Sequence, residues 1–185
     1  MAIQLVSVTT VLKPFTDFSA IPAGVLENAA DQGEIVHSLL ARHVLGLEIF
    51  PDEITAEVEG YFNSGRRWTD RHLLKALLVE QELRDETQGY IGHPDIIGIL
   101  KGDPDPSLWD YKRAVPQLTH AVQIGGYYGL GRKNGYAIRR CGPIYLRKDG
   151  KMPNVSKSET TGTVQQDYAV FLAALMCWRR FGQKP

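Results

Sequence analysis

Charged side chains interrupt the most apolar part of the sequence. Three runs between residues 75 and 112 are rich in the aliphatic and aromatic residues that favour β-strands. Within them stand Glu80 and Glu82 in the first run, Asp95 in the second, and Asp110 with Lys112 in the third. Burying a charge is costly unless it is paired or bound to a metal. A fold that buries these strands must therefore offset the charges, and a hard divalent cation coordinated by oxygen atoms is the simplest candidate.

The spacing of these charges predicts one shared site. Asp95 and Asp110 are 15 residues apart, and the turn sequence 101–104 lies between them. If their strands pair in antiparallel fashion, the two carboxylates can lie close together. Lys112 follows Asp110 by two residues and therefore points to the same face of its strand. The Asp-x-Lys pattern by itself is equally compatible with a simple ion pair on an edge strand.

Two carboxylates beside an open coordination position suit Mg²⁺, which retains several water molecules and also accepts phosphate oxygens as ligands. A lysine at the same point could hold a metal-bound water, lower the pKa of that water, or stabilise the negative charge of a transition state. The set therefore predicts hydrolysis of phosphodiester bonds.

The rest of the chain predicts a single α/β domain over residues 1–185. Apolar residues recur with a helical period in four segments, which are 22–44, 51–62, 116–128 and 163–181. Gly33 predicts either a helix break or a close packing contact, and Asn63-Ser64-Gly65 predicts the end of the second helix. The glycines of the third helix predict close packing, for example against a sheet. A strand or strand pair is expected over 136–147, broken at Gly142-Pro143.

Composition excludes several classes of protein. Hydrophobic residues make up 43% of the chain and charged residues 23%, as in ordinary soluble globular proteins. No apolar run is long enough to span a bilayer and the N-terminus lacks a signal-peptide pattern, so we expect a cytoplasmic protein without a membrane partner. Two cysteines, Cys141 and Cys177, cannot by themselves hold an iron–sulfur cluster or a four-thiolate zinc site, and both are expected to be buried.

Charge is distributed unevenly along the chain. Residues 1–100 contain 7 basic and 15 acidic side chains, whereas residues 101–185 contain 14 and 6, so the halves carry −8 and +8. This asymmetry fits either scatter over two solvated surfaces or an acidic metal side with a basic face for a polyanion. Three basic dipeptides follow the predicted site in sequence and favour the second interpretation; they are Arg132-Lys133, Arg139-Arg140 and Arg147-Lys148.

Several short motifs, taken together, resemble those of a known enzyme family. Pro94-Asp95 followed by Asp110-Tyr111-Lys112 resembles the signature of the PD-(D/E)XK nucleases. The segment from Gln123 to Tyr127 is similar to the QxxxY motif of the RecB-like branch. Gly33-Glu34-Ile35-Val36-His37 resembles the upstream helix motif of that branch, and Gly92-His93-Pro94-Asp95 fits its G-x-x-D pattern. The order and spacing agree over residues 7–180, as in small stand-alone exonucleases of phages and prophages.

The resemblance implies a fold and an activity. It implies a restriction-endonuclease-like core with a central mixed sheet flanked by helices, and a DNA nuclease dependent on Mg²⁺ or Mn²⁺, favouring an exonuclease of recombination, repair or phage DNA processing. The implied location is the cytoplasm of a bacterium or of a phage-infected host. The implied partners are DNA and, on a separate chain, a single-strand annealing protein or a helicase.

The resemblance also implies a role for each matching residue. Asp95 and Asp110 would be metal ligands, joined by His37 and by the backbone carbonyl of Tyr111. Lys112 would assist the attacking water, and Glu80 would be a further acidic group of the catalytic site. Gln123 and Tyr127 would contact the nucleic-acid backbone or brace the site.

The sequence also allows alternative functions. The chain could be a catalytically silent nucleic-acid-binding subunit of a recombination complex, or an endonuclease of the same superfamily. His37 and Glu80, taken alone, are compatible with purely structural roles. His93 and His120 are minor candidates for substrate contact, and an exposed Trp68 could stack on a base. Gln32 occupies a position that is often basic in the family, which predicts a weakened substrate contact there.

Overall fold

The computed structural model describes residues 5–16, 22–113, 115–156, 158–159 and 163–182. Mixed β-sheets flanked by helices form an α/β architecture, as predicted. The helices are α1 (Val8–Leu12), α2 (Ala23–Leu45), α3 (Ala56–His72), α4 (Leu118–Lys133) and α5 (Thr163–Cys177), the last continued by a π-helical turn at Trp178–Gly182. The strands are β1 (Val6–Ser7), β2 (Leu73–Val79), β3 (Leu83–Asp85), β4 (Tyr90–Gly92), β5 (Ile96–Leu100), β6 (Pro106–Lys112), β7 (Arg140–Tyr145), β8 (Asn154–Val155) and β9 (Ser158–Glu159). Within these described ranges, no helix combines the length and apolarity that crossing a bilayer requires.

The larger sheet has the order β2-β5-β6-β7-β8, and β9 also pairs with β7. Strands β2, β5 and β6 pair in antiparallel fashion, with the turn at 101–104 between β5 and β6 as expected, whereas β6 and β7 are parallel. A smaller sheet joins β1, β4 and β3. The region expected to form one strand before Leu100 is therefore two strands, β4 and β5, that belong to different sheets.

The larger sheet separates two apolar clusters. Leu78, Ile97 and Leu108 pack on the side that carries α1, α4 and α5. Their sequence neighbours Ile96 and Trp109 pack on the other side, against α2 and α3. This alternation is that of a sheet covered on both faces. We refer to the first side as the α4 face.

Helix α2 continues through Gly33 without a break. A Cβ atom added at Gly33 would have no neighbour within 4 Å, so neither the predicted break nor the predicted packing contact is present. A single glycine costs a helix only about 1 kcal/mol, which 23 residues of favourable neighbours can offset. The helix ends at Gly46, whose φ of 68° is the left-handed conformation typical of a helix C-terminus.

The predicted start and the predicted end of the second helix are both wrong. Pro51 begins only a short 3₁₀ turn, and α3 starts at Ala56 and runs past Asn63-Ser64-Gly65 to His72. The polar triplet stays helical because groups from other segments pack against it or form hydrogen bonds to it. A Cβ at Gly65 would come within 2.6 Å of a Leu40 methyl group, and the Ser64 hydroxyl accepts a 3.0 Å hydrogen bond from the backbone N–H of Arg147.

The glycines of α4 do permit close packing, mainly against helix α5 and, at Gly129, also against Tyr90 of β4. A Cβ at Gly125 would lie 2.5 Å from the backbone of Asp167 in α5. A Cβ at Gly129 would meet the ring of Tyr168 at 2.3 Å. Helices α4 and α5 therefore approach nearly backbone to backbone on the α4 face.

Strand β7 runs unbroken through Gly142-Pro143, contrary to expectation. The pairing with β9 ends at Cys141 and the pairing with β8 begins at Ile144, so the Gly-Pro pair occupies the gap between them on that edge.

The burial of the cysteines and of Trp68 bears on their predicted roles. Cys177 is exposed although it was expected to be buried, and its neighbour Met176 is exposed as well, whereas Cys141 is buried as predicted. Trp68 is only 3% exposed and packs on Trp109, so it is unavailable for base stacking.

Candidate metal centre

Three carboxylates form a row across three neighbouring strands. Val79, Ile96 and Trp109 are aligned across β2, β5 and β6, and the next residues in register are Glu80, Asp95 and Asp110. The backbone N–H of Glu80 donates a 3.1 Å hydrogen bond to the carbonyl of Asp95, which extends the pairing by one residue. We call Glu80, Asp95 and Asp110 the acid row.

Lys112 lies on the same face of β6 as Asp110. Its Nζ is 2.5 Å from Asp110 Oδ2, and the lysine side chain is only 15% exposed. The contact is an ion pair without the angles of a hydrogen bond, since Asp110 Oδ2 has no hydrogen-bond partner among the described residues. The close approach follows from the i, i+2 spacing on a strand.

His37 reaches the acid row from α2. Its Nδ1 donates to Asp95 Oδ1 at 2.9 Å and lies 3.6 Å from Glu80 Oε1. The helix is held over the sheet by buried Val36, Leu39 and Leu40, which leaves His37 at its edge. One ligand atom from each of His37, Glu80 and Asp95 lies within 4.8 Å of the others. Atoms bound to one ion at about 2.1 Å lie at most roughly 4.2 Å apart, so small side-chain movements suffice.

Glu80 stands just after β2 and not within it, and Glu82 lies between β2 and β3. The backbone of Glu80 has a φ of 49°, which is uncommon for a residue with a side chain. Such strain concentrates at functional sites. Glu82 instead contacts Arg84 at 2.5 Å and His93 at 3.7 Å, outside the acid row.

Tyr111 contributes its backbone to the site. Its N–H donates to Asp95 Oδ2, while the next carbonyl, that of Lys112, accepts from Leu146 on the β7 side. The N–H and C=O of one strand residue point to the same edge. The carbonyl of Tyr111 therefore points to the Asp95 edge, whereas its side chain packs in the core with its hydroxyl 3.1 Å from Thr69.

Gln123 and Tyr127 face the acid row from α4. Gln123 Nε2 donates to the Tyr127 hydroxyl at 3.0 Å. Tyr127 is 4% exposed, and a Cβ at Gly92 would lie 2.6 Å from its ring, so glycine allows the tyrosine to pack there. Tyr127 is thus placed to orient Gln123, whose amide is the more accessible of the two.

One polar cavity of about 420 Å³ is lined by the acid row together with Lys112, His37, Gln123 and Tyr127, but not by Tyr111. Three further polar residues that line the cavity are not among the predicted site residues; they are Ser7, Thr9 and Glu34. Glu34 precedes His37 by one helical turn, and this i, i+3 spacing was the available signal. Ser7 also caps α1 by accepting from the N–H of Thr10 at 3.1 Å. His93 lines the cavity as well, whereas His120 lies outside it beside Tyr145.

The charged groups of the site shift one another's pKa values. Burial raises the pKa of Asp95 to about 7, and the charges of Asp110 and Glu80 add to this against the opposing effect of His37. Burial alone would lower the pKa of His37, but Asp95 and its neighbours outweigh it and raise the pKa to about 10. Burial also opposes the charge of Lys112, yet Asp110 and Asp95 raise its pKa overall.

The residues present fit a hard divalent cation. Glu80 Oε1 and Asp110 Oδ2 are buried carboxylate oxygens without a hydrogen-bond partner among the described residues. A buried carboxylate oxygen without a hydrogen bond is costly, and a cation bound beside it would remove that cost. Glu80, Asp95 and Asp110 would hold it, with His37 and the Tyr111 carbonyl as the remaining protein ligands.

The basic dipeptides are not gathered at this site. Arg139-Arg140 begins β7 at the opposite end of the sheet, where Arg140 pairs with Asp103 in the β5–β6 turn. Arg132-Lys133 ends α4, far along the helix from Gln123. Only Arg147-Lys148 follows β7 at the end that carries the acid row, and there Arg147 pairs with Asp149 at 2.6 Å.

No protein-family model matches this chain, and a search of curated proteins finds no match.

Proposed function

We propose that this chain is a DNA nuclease with a restriction-endonuclease-like core that uses Mg²⁺ or Mn²⁺ to hydrolyse phosphodiester bonds. The observation that supports it most is the acid row with Lys112 beside Asp110 and two buried carboxylate oxygens that have no hydrogen-bond partner among the described residues. Acids and a lysine in this arrangement provide what hydrolysis of a phosphate diester requires, namely ligands for a hard cation and a positive charge next to it.

A cation bound at the acid row would polarise the phosphate and lower the pKa of a bound water. Asp95 and Asp110 would hold it from opposing strands. Lys112 lies next to Asp110, where its ammonium can orient the attacking water and stabilise the negative charge that develops on the phosphate. Gln123, oriented by Tyr127, offers an amide donor to the sugar-phosphate backbone from the facing helix.

Two features of the site favour polymeric DNA as the substrate. The lining of the cavity is rich in polar groups, which suits a hydrated ligand better than an apolar one, and a cation bound at its carboxylates would attract a phosphate backbone. The upstream histidine on α2 and the Gln123–Tyr127 pair on α4 match the exonuclease branch, and their joint presence around one cavity favours it. An exonuclease of this kind would act in recombination, repair or phage DNA processing, in the cytoplasm of a bacterium or of an infected host, beside an annealing protein or helicase on another chain.

Digestion of DNA tests the proposal. The purified chain should degrade linear duplex DNA with Mg²⁺ or Mn²⁺ and stop when a chelator is added. Lys112→Ala should lower the rate by roughly 10²–10³-fold, the usual cost of losing one group that stabilises transition-state charge. Asp105→Asn removes an exposed carboxylate just before β6, at the end of the sheet away from the acid row, and serves as the control, since its rate should not change. Full activity of Lys112→Ala would contradict the proposal.

The form of the DNA distinguishes the alternatives. An exonuclease degrades a linear duplex and leaves a covalently closed circle intact, whereas an endonuclease converts the circle to nicked or linear forms. Binding that persists in chelator without any cleavage would instead identify a silent nucleic-acid-binding subunit.

A further inference from the structure

Tyr145 is the neighbour of Lys112 on the adjacent strand. The parallel register of β6 and β7 aligns Lys112 with Tyr145, just as it aligns Asp110 with Pro143. Aligned residues on neighbouring strands point to the same face and stand about 4.8 Å apart along the sheet. Tyr145 therefore lies beside the stem of Lys112, on the side away from β5.

His120 holds the hydroxyl of Tyr145 from the first turn of α4. Its Nδ1 lies 3.3 Å from the Tyr145 oxygen, and the two rings are 5.7 Å apart. The backbone N–H of Gln117 also donates to Nδ1, at 3.4 Å. An N–H can only donate, so Nδ1 is an acceptor and the hydrogen of the neutral ring is on Nε2. The Tyr145 hydroxyl must then donate to Nδ1, and its oxygen remains able to accept a hydrogen bond.

The surroundings keep His120 neutral, and hence keep Nδ1 an acceptor. Burial, together with the charge of Lys112, lowers the pKa of His120 to about 4. The ring is 8% exposed. His120 also precedes Gln123 by three residues, and Gln123 precedes Tyr127 by four, so all three share one face of α4.

We propose that His120 and Tyr145 are positioning residues for Lys112: the tyrosine, oriented by the histidine, packs against the lysine stem and offers its oxygen to the ammonium, which keeps Nζ beside Asp110. This inference rests on the proposed nuclease function for its catalytic meaning. A lysine has a flexible four-carbon stem. Fixing its head group before the substrate arrives removes an entropic cost from the reaction.

Lysine NMR on the metal-free full-length chain tests the positioning without any measurement of cleavage. With lysine labelled at ¹³Cε and ¹⁵Nζ, the Lys112 signal is assigned by its loss in Lys112→Arg. In Tyr145→Phe and His120→Leu this signal should move toward the average of exposed lysines. In His120→Asn, whose Oδ1 can replace the Nδ1 acceptor, it should stay near the wild-type position. Tyr136→Phe, a partly buried tyrosine elsewhere in the core, is the control. A Lys112 signal unmoved in Tyr145→Phe would overturn the inference.

Cleavage kinetics separate positioning from general damage. Tyr145→Phe should lower kcat by about 10–100-fold, the usual cost of losing a residue that orients a reacting group, with KM and the Kd for Mn²⁺ unchanged. In a Lys112→Ala background the same substitution should have no further effect, because its action passes through the lysine. An equal loss in both backgrounds would overturn the inference while leaving the nuclease function intact. A wild-type chain that does not cleave would refute the proposed function, and the NMR comparison would still decide whether the pair positions Lys112.

Discussion

Asp95 and Asp110 face each other across β5 and β6, one residue beyond the Ile96–Trp109 pair, and they are 4% and 2% exposed. Two buried carboxylates this close repel each other, which contributes to the raised pKa of Asp95. His37 and Lys112 each neutralise one of them. Glu80 Oε1 has no hydrogen-bond partner among the described residues, and it shares His37, which is 3.6 Å away, with Asp95; this sharing distinguishes the acid row from an ordinary buried ion pair.

Removing one carboxylate should weaken metal binding and leave the fold intact. Asp110→Asn keeps the size of the side chain but loses a charged ligand, so we expect the affinity for Mn²⁺ measured by titration calorimetry to fall by 10-fold or more. Circular dichroism and the Tm report on the fold. Asp105→Asn, which is exposed at the other end of the sheet, should bind Mn²⁺ as the wild type does. Equal affinities in Asp110→Asn and wild type would place the metal elsewhere.

Metal affinity should rise with pH. In the metal-free protein the pKa of His37 is raised to about 10, so near neutral pH the imidazole carries a proton that a bound metal must displace. Between pH 6 and 9 each unit should therefore tighten Mn²⁺ binding by up to about tenfold for each proton released. Calorimetry in buffers of different ionisation enthalpy counts these protons. Binding that releases no proton would show that His37 is not a ligand.

The raised pKa of His37 also makes the stability of the fold depend on pH. A pKa raised above the unfolded value of 6.5 means that His37 contributes its full stabilisation below pH 6.5 and loses it as the pH rises toward 10. In His37→Gln, the metal-free stability measured by urea unfolding should therefore vary less over this range than in the wild type. Identical slopes against pH in the two proteins would argue against the His37–Asp95 contact.

Two glycine substitutions should have opposite effects on stability. Gly125→Ala forces a methyl group against the Asp167 backbone and should lower the free energy of unfolding by about 1–3 kcal/mol or more. Gly33→Ala adds a methyl group in open space on α2 and should raise it by roughly 0.5–1 kcal/mol. Urea unfolding measures both. A neutral Gly125→Ala would mean that α4 and α5 are not in close contact.

The two thiols should differ in reactivity. Cys177 is exposed, whereas Cys141 is buried in β7, and burial raises its pKa to about 12. A thiol reagent at pH 8 should therefore modify Cys177 alone in the native protein and both cysteines in denaturant. Rapid native modification of Cys141 would contradict its place in the core.

Local sequence patterns predicted which helices and strands hold the site. They were less accurate for the residues at which these elements begin and end. The strands that carry Asp95 and Asp110 and the turn between them follow from apolar runs and a Gly-Asp-Pro sequence, and the i, i+2 relation of Asp110 and Lys112 follows from strand geometry alone. Glu80 was assigned to a strand because its neighbours are apolar. It lies beyond the strand because its backbone turns to a positive φ, which periodicity does not reveal.

The remaining errors concern contacts between distant segments. Asn63-Ser64-Gly65 resembles a helix end, but the helix continues through it. Leu40 packs at Gly65, and the backbone N–H of Arg147 donates to Ser64. Cys177 and Met176 lie in an apolar stretch, yet they face solvent because the buried face of α5 is set by α4. The Tyr145–His120 contact joins β7 to α4 and has no signature in either segment.

Crystals soaked in Mn²⁺ and measured at a wavelength with strong anomalous scattering from manganese test the central claim most directly. We predict an anomalous peak beside Glu80, Asp95 and Asp110, with carboxylate oxygens at about 2.0–2.2 Å. The peak should be absent from Asp110→Asn crystals treated in the same way. A wild-type map without a peak between Asp95 and Asp110, at full Mn²⁺ exposure, would contradict the assignment of the acid row as a metal centre.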